Sequence, residues 1–352
     1  MQSLARAQLG FTQTGRLDRI ALRLAQRSLP PGQMQTVRVA RLASSTMQIE
    51  FSDGDGAMSG EEMPFVVCVV VNWNGWQDTV ACLDSLRRQD YANLSVVVID
   101  NGSANDSVER IRAAHPEVTL HETGRNLGFP GGCNAGTRIA YRQGADLIWL
   151  LNNDTVAPPT TASNLVRTAL AHPEAGAIGS VLYYMHDPEQ IQAWGGGSVN
   201  LFTAFTSHFT APASFAAGNT YFTGASLLIP RHICEQVGIF FEGFFMYCDD
   251  SDFCLRLHRA GYPLVMCEDT AILHKEGGSS PKRSSLIDQF ATTANMRLLR
   301  RHASVPALSI AVYLFLRLLN RLLRGRWGNV SGVCRGVRIY LEEHKLSFTD
   351  RL

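Results

Sequence analysis

Residues 65–73, FVVCVVVNW, form an unbroken apolar run, mostly β-branched, that stops on polar residues. A strand with one wet face alternates in polarity. A continuous run marks a strand covered on both faces, as in a parallel sheet flanked by helices. The signature returns at residues 94–103 (LSVVVIDNGS) and 145–154 (ADLIWLLNND). Segments between these runs have helical spacing: Val80, Leu83 and Leu86 share a face in 77–89, and 106–115 (DSVERIRAAH) stops before Pro116. A short strand is expected at 118–123, a glycine-rich loop at 126–136 (NLGFPGGCNAG), and helices at 134–143 and 161–173. Strands alternating with helices over short links predict an α/β fold with a mostly parallel central sheet and right-handed crossovers. Ligands of such sheets bind beyond the carboxyl ends of the strands, where NWNGW, DNGS and NND all fall.

The second half is less regular. Residues 180–222 carry Gly195-Gly196-Gly197 and many aromatics without a clear period. Residues 223–238 read as strand, turn and helix. Residues 249–262 (DDSDFCLRLHRAGY) read as a helix with acids at its start and Gly261 at its end, as capping predicts. A last pair of short strands and a loop follow in 262–280, then a basic helix over 288–302. The polar, glycine-bearing stretch 50–63 predicts that residues 1–62 form a poorly ordered extension, with a short amphipathic helix over 14–29 and Met58 and Met63 as candidate starts of translation. An ordered domain spans 63–285, its halves meeting near 155, and 286–352 form a basic, partly amphipathic helical segment.

Composition sets outer limits. Hydrophobic residues at 45% and charged residues at 18% suit a globular protein with a sizeable core. A net charge of +1 argues against a general nucleic-acid surface, so no nucleic-acid partner is expected. Eight cysteines without a CxxC pair give no zinc-ribbon or redox signal; several lie in apolar runs, pointing to a reducing compartment, the cytosol. No secretory signal is visible in residues 1–30. From Asp288 to Glu342 there is no intervening acid, while Arg297, Arg300, Arg301, Arg317, Arg321, Arg324 and Arg326 crowd together. Within this stretch, residues 303–316 are uncharged but shorter than the roughly 20 apolar residues of a membrane span. With the arginines they predict either a peripheral contact at the inner face of the cytoplasmic membrane or a helix packed on the domain.

Residues 64–280 resemble the family 2 glycosyltransferases with the GT-A fold, particularly their rhamnosyltransferase-like branch. The matching blocks are VVVNWNGWQDTVACLDSL, VVVIDNGSANDS, NLGFPGGCNAG, LLNNDT, FTGASLLIPRHICEQVGIFFEGFFMYCDDSDFCLRLHRAGY and HKEGGSS, in that order. The resemblance implies a donor half over 63–155 and an acceptor half over 156–285. It implies a nucleotide-diphospho-sugar donor, a glycan or lipid-linked glycan acceptor, and inversion in one displacement.

Each block then carries an expected role. A departing diphosphate needs its charge stabilised, which a divalent cation with hard oxygen ligands does; Mg2+ or Mn2+ fits. The resemblance gives Asp154 the metal-binding role, with Asn152 where the family has a first carboxylate, and lets His274 complete the site. It gives Asp100 and Asn72 contacts to the nucleobase. Arg125, Asn126, Asn134, Asn152 and Asn153 are expected around the donor. An acceptor hydroxyl needs a base, assigned to Asp250 by position; Asp249 or Asp252, with Thr223 and Gly224, would hold the acceptor. The family has Glu where this chain has Asp249, and often Asp where it has Phe241. Turns and helix caps are the bland alternative for each block. A sugar nucleotidyltransferase and a non-catalytic carbohydrate-binding protein are the rival functions.

Overall fold

The computed structural model describes residues 35–41, 47–53, 63–275 and 284–349, in two units, Met1–Met63 and Pro64–Leu352. In the first unit, strand β1 (Gln35–Arg41) pairs antiparallel with β2 (Met47–Asp53), Val37 opposite Phe51 and Val39 opposite Ile49. This hairpin was not foreseen in the sequence. The helix expected over 14–29 lies outside the described residues.

The second unit begins with strands β3 (Val66–Asn72), β4 (Leu94–Asp100), β5 (Thr119–Glu122) and β6 (Leu147–Asn152). Between them lie helices α1 (Trp76–Leu86), α2 (Ser107–Ala114) and α3 (Gly128–Arg142). Next come β7 (Thr155–Val156), α4 (Thr161–Ala171), β8 (Ala177–Tyr184) and β9 (Asp187–Trp194). Strands β10 (Gly196–Val199), β11 (Thr206–His208) and β12 (Thr220–Phe222) make a small antiparallel sheet. Then follow β13 (Ser226–Pro230), α5 (Arg231–Val237), α6 (Asp249–Ala260) and β14 (Leu264–His274). Helices α7 (Ser285–His302), α8 (Pro306–Leu323) and α9 (Trp327–Thr349) close the described chain.

The main sheet runs β5-β4-β3-β6-β13-β8-β14-β7, with β9 beside β8. Strands β3, β4, β5, β6, β8 and β14 point one way; β7, β9 and β13 run against them. The mostly parallel α/β reading therefore holds, with β13 as a reversed strand inserted at the middle. The continuous apolar runs are covered on both faces as their composition requires. Val67 and Val69 join one core cluster with Ile99 and Leu150, while Val66, Cys68 and Val70 join the other with Val98 and Trp149.

Three expectations need correction. The glycine-rich stretch is not a loop: α3 begins at Gly128 and contains most of it. Its glycines let the helix lie close on the sheet. A Cβ at Gly132 would stand 2.7 Å from Val71 Cγ1, and one at Gly136 would collide with Val69 Cγ1. The expected pair of strands in 262–280 is one strand, β14, whose register slips between Cys267 and Ile272. The irregular segment 180–222 holds strands β9 to β12. Gly196 and Gly197 hid them, because those positions accept close strand neighbours and carry no side chain to show a period: a Cβ there would meet the carbonyl oxygens of Tyr221 and Ser207.

Helices α6 and α7 are joined through a buried carboxylate. Asp252 is fully buried; its Oδ1 accepts from Arg301 Nε and pairs with His302 Nε2, both at 2.7 Å, and its Oδ2 accepts from Arg256 Nε at 3.0 Å. Burial alone would raise its pKa, but His302, Arg301 and Arg256 outweigh burial and hold it at about 2. Asp252 therefore stabilises the fold in its ionised form. That contribution is complete above the ordinary value of 3.8 and is lost as pH falls towards 2.

Two stability outcomes follow from this packing. Gly136→Val should cost about 2 kcal/mol by forcing α3 off β3, read as a lower urea midpoint. Asp252→Ala should cost about 3 kcal/mol by stranding the cations it pairs. The variant's urea midpoint should also change less than wild type on acidification from about pH 4, since the group that titrates is gone.

Candidate functional site

Strands β3, β4 and β6 end side by side, Asn72 opposite Asp100 and Val71 opposite Asn152. Asn72 is fully buried and its amide is fully occupied. Nδ2 donates to Asp100 Oδ2 at 2.7 Å and Ser103 Oγ at 3.1 Å; Oδ1 accepts from Gly75 N at 3.2 Å and Thr79 Oγ1 at 2.9 Å. A buried amide is satisfied within the protein, and Asn72 is, through both turns. Asp100, also buried, accepts from Asn72, from Ser103 Oγ at 2.7 Å and from Ser103 N at 2.9 Å. The pair fixes the turn after β4 against the turn after β3. Trp73, next to Asn72, is exposed.

A second knot holds the neighbouring loop. Asn101 is buried; its Oδ1 accepts from Leu127 N at 3.0 Å and its Nδ2 donates to Gly128 O at 3.0 Å and Asn126 Oδ1 at 3.2 Å. Asn126 Oδ1 also accepts from Gly128 N at 2.8 Å. Gly102 has φ +74°, and a Cβ there would sit 2.6 Å from Arg125 Cα, so the two loops touch through backbone. Arg125 itself is exposed and forms no ion pair among the described residues. Asn134 stands apart from these ends. Its amide donates to Phe240 O at 2.8 Å and Glu242 Oε1 at 3.0 Å and accepts from Phe240 N at 3.2 Å. It pins α3 to the 239–245 segment.

Beyond β6, the antiparallel pairing of β7 with β14 sets His274 opposite Thr155. His274 Nε2 then lies 3.2 Å from Asp154 Oδ1 and 3.4 Å from Asn152 Nδ2. Its other nitrogen, Nδ1, meets Gln192 Oε1 at 2.7 Å. Gln192 can only accept through that oxygen, so Nδ1 carries the hydrogen and Nε2 is turned to the carboxylate. An imidazole oriented by an outer amide, with its other nitrogen turned to a carboxylate, is an arrangement a cation can exploit by taking the place of the proton between them. Asn152 Oδ1 is buried without a hydrogen-bond partner among the described residues. Asp154 is held below the ordinary carboxylate range: burial would raise it, but the hydrogen bond and charge of His274, a backbone N–H and Lys275 prevail. Asn153 faces the other way, donating to Thr79 Oγ1 at 3.0 Å.

One carboxylate, one imidazole and an unpartnered amide oxygen suit Mg2+ or Mn2+. Among the described residues no group of three or more His, Cys, Asp or Glu could hold a metal by itself. A cation held there would need further ligands from outside these residues.

The acidic cluster reaches the same region through β13. Ala225 O accepts from Asn152 N at 3.0 Å, and one residue earlier Gly224 N donates to Asp250 Oδ2 at 3.2 Å. Asp250 Oδ1 accepts from Ser251 N at 2.6 Å and Ser251 Oγ at 3.2 Å. Burial raises the Asp250 pKa against the pull of these bonds. Asp249 is more deeply buried and is raised well above the ordinary value, by burial first and then by the Asp250 charge. Just ahead of them, Tyr247 and Cys248 have φ of 71° and 63°, a left-handed pair of non-glycine residues that costs on the order of 1–3 kcal/mol each and turns the chain into α6. Thr223 Oγ1 accepts from Ala225 N at 3.3 Å, while its backbone N–H donates to Gly195 O. The Asp252 carboxylate is instead engaged at the α6–α7 junction by Arg256, Arg301 and His302.

The structure thus gathers Asn152, Asp154 and His274 in one place, with Thr223, Gly224 and Asp250 one strand away. Ser103, Thr79, Asn101 and Gln192 shape the site and were not singled out from the sequence. Asn101 and Ser103 sat inside the DNGS turn; Gln192 had no signal, lying in the segment without a period.

Residues 67–238 match the family model described as glycosyl transferase family 2. An N-acetylglucosaminyl-diphospho-decaprenol L-rhamnosyltransferase of Mycobacterium tuberculosis is 27% identical over 214 residues, covering 53% of this chain and 68% of that protein. A galactofuranosyltransferase of Mycolicibacterium smegmatis is 28% identical over 220 residues, 60% of this chain and 72% of that protein. Among solved structures, GalNAc-T7 with UDP, GalNAc and Mn2+ overlays with a TM-score of 0.52 at 13% identity, over 70% of this chain and 50% of that one, a likeness of fold. Residues 67–238 thus carry a glycosyltransferase family 2 domain, on a fold shared with GT-A glycosyltransferases.

Proposed function

We propose that this enzyme moves a sugar from a nucleoside-diphosphate donor to a hydroxyl of a lipid-linked glycan, with inversion and with a divalent cation. The observation that carries this reading is the meeting of Asp154 Oδ1 and His274 Nε2 at 3.2 Å, with Gln192 orienting the imidazole. Asp154 and His274 would hold Mg2+ or Mn2+, which supplies Lewis-acid stabilisation of the leaving diphosphate. Asn152 Oδ1 is free to turn to the same ligand. The turns that end β3 and β4, held by Asn72 and Asp100, and the exposed Arg125 would frame the nucleotide.

Asp250 would take the proton of the acceptor hydroxyl. Gly224 N and Ser251 fix its carboxylate, so it need not reorganise when the hydroxyl arrives. Its raised pKa makes it a stronger base than an exposed aspartate. It must be ionised to act, so turnover is lost as pH falls through that raised pKa. Asp249, buried behind it, is raised further, by burial and then by the Asp250 charge, so it is the neutral partner of the two. The rhamnosyl and galactofuranosyl relatives make nucleoside-diphosphate-linked rhamnose and galactofuranose the first donors to try. Glycan assembly at the inner face of the cytoplasmic membrane is the setting this reading implies.

Two outcomes test it. Nucleoside diphosphate released from a donor panel should require Mg2+ or Mn2+, stop with EDTA, and fall at least about a hundredfold in Asp154→Ala; metal-independent release equal in both proteins would refute the metal assignment. Asp250→Asn should bind donor as wild type does, by calorimetry, yet lose about a thousandfold in kcat. In wild type the acid limb of the pH–rate profile should lie above the ordinary carboxylate range; a limb within that range would move the base elsewhere.

A further inference from the structure

Helix α8 has two unlike faces. One turns into the domain: Ser309 and Tyr313 are buried, with Ile310 and Leu314 beside them, against Met296 and Leu299 of α7 and Tyr340 of α9. The other is apolar and uncovered. Leu308, Phe315, Leu316, Leu319, Leu322 and Leu323 are exposed, Phe315 by 64% and Leu323 by 78%. Leu308, Phe315, Leu319 and Leu322 recur at helical spacing, so the exposed leucines and phenylalanine form a stripe rather than scattered residues.

The arginines of α8 do not lie on that stripe. Arg317 Nη2 and Arg321 Nη2 each donate to Asp288 Oδ1 at 2.7 Å, and Asn329 Nδ2 donates to Asp288 Oδ2 at 2.6 Å. Asp288 is buried, and burial would raise its pKa, but Arg321, Asn329 and Arg317 hold it below the ordinary range. This clamp fixes the rotation of α8 and keeps its apolar face outward. It also opposes a transmembrane placement of the same helix, which would break both ion pairs and strand Asp288 inside the domain. By length and composition α8 could cross a membrane, with a mean hydropathy of 1.4. Its docking on α7 through Asp288 and Tyr313 favours lying flat.

The surroundings of the stripe choose its occupant. Of the six arginines in residues 303–341, Arg317 and Arg321 pair with Asp288 and Arg338 with Glu342. Arg324 is exposed just past the end of α8, and Trp327, 69% exposed, follows. An apolar face that ends on an exposed arginine and an exposed indole complements an anionic, amphiphilic surface. At the other end of α8, Val305 and Ser309 line a cavity of about 330 Å³ with Leu201 and Phe202, and Phe202 and Phe205 are exposed there. Phe202 and Phe205 belong to the turn between β10 and β11, and β10 pairs in turn with β12, which ends two residues before Gly224, the donor to Asp250. The small sheet therefore connects this end of α8 to the acidic cluster.

We propose that the outward face of α8, with Arg324 and Trp327, seats this enzyme on the surface of an anionic lipid bilayer, presenting the β10–β11 side to an acceptor carried in that bilayer. The second clause rests on the proposed function; the first does not.

Flotation of the whole chain with vesicles tests the docking. Wild type should float with phosphatidylcholine vesicles containing phosphatidylglycerol, and at least about tenfold less with phosphatidylcholine alone or in high salt. The triple variant Phe315→Glu, Leu319→Glu, Leu323→Glu should lose flotation while keeping its circular dichroism and its metal-dependent release of nucleoside diphosphate. Arg324→Glu should weaken flotation on anionic vesicles only. Equal flotation of wild type and triple variant, or none by wild type, would overturn the proposal. So would a wild-type dimer in sedimentation that the triple variant dissociates while vesicles bind neither. A protein that floats but releases no diphosphate from any donor would instead count against the proposed function.

Discussion

The buried hydrogen bond from Asn72 to Asp100, 2.7 Å long, is where the sheet becomes a site. Parallel strands deliver their carboxyl ends to one edge, but the turns that leave them are free to diverge. Here the two turns are tied across neighbouring strands by an amide and a carboxylate that face each other in register. Ser103 joins both side chains and also accepts from Asn74 N at 2.8 Å, so the loops after β3 and β4 are locked together. Because these groups are buried, an unmade bond would cost about 1–3 kcal/mol, which makes the arrangement close to all-or-none. Asn153, reaching Thr79 from β6, extends the same lock to the third strand end.

The opposite half of the site is held in a costlier way. Two residues in left-handed backbone, Tyr247 and Cys248, precede two carboxyls whose pKa is raised by loss of water. Neither feature stabilises the fold. Both are sustained by the ion cluster three residues on, where Asp252 gathers Arg256, Arg301 and His302. Arg256 additionally donates to the carbonyl oxygens of Val237 and Ile239, so the segment leading to Tyr247 is anchored by the same guanidinium. The acids of this cluster thus divide: Asp252 is ionised and structural, while Asp249 and Asp250 are pushed towards neutrality.

Much of this was legible in the sequence because burial on both faces of a strand leaves an unmistakable continuous run. FVVCVVVNW, LSVVVIDNGS and ADLIWLLNND announced β3, β4 and β6 and put polar residues at their ends. Acids followed by Gly261 announced α6 and its left-handed cap at φ 82°. What stayed hidden was partnership across the chain. Asn72, Asn134 and Asp252 look like ligand-binding residues by type and place, yet their hydrogen bonds are taken by Asp100, Phe240 and Arg301, up to 106 residues away. Only folded proximity reveals that. Gln192 was hidden for the converse reason: an unremarkable glutamine gains meaning from His274, which lies 82 residues on.

The glycine-rich stretch shows how one residue type can mislead. Glycines before a helix commonly admit a phosphate, and the same spacing here serves helix–sheet contact instead. Gly132 and Gly136 sit inside α3 with no room for a Cβ against Val71 and Val69. Gly128, at φ +74°, brings the start of α3 against Phe245, whose carbonyl accepts from Phe129 N at 3.0 Å. That bond links the helix beneath the strand ends to the segment that delivers Tyr247, Cys248 and the two carboxyls. Close packing of α3 is therefore not only a matter of core density. It sets how far the acidic cluster stands from the ends of β3 and β4, and so the span that a donor and an acceptor would have to share.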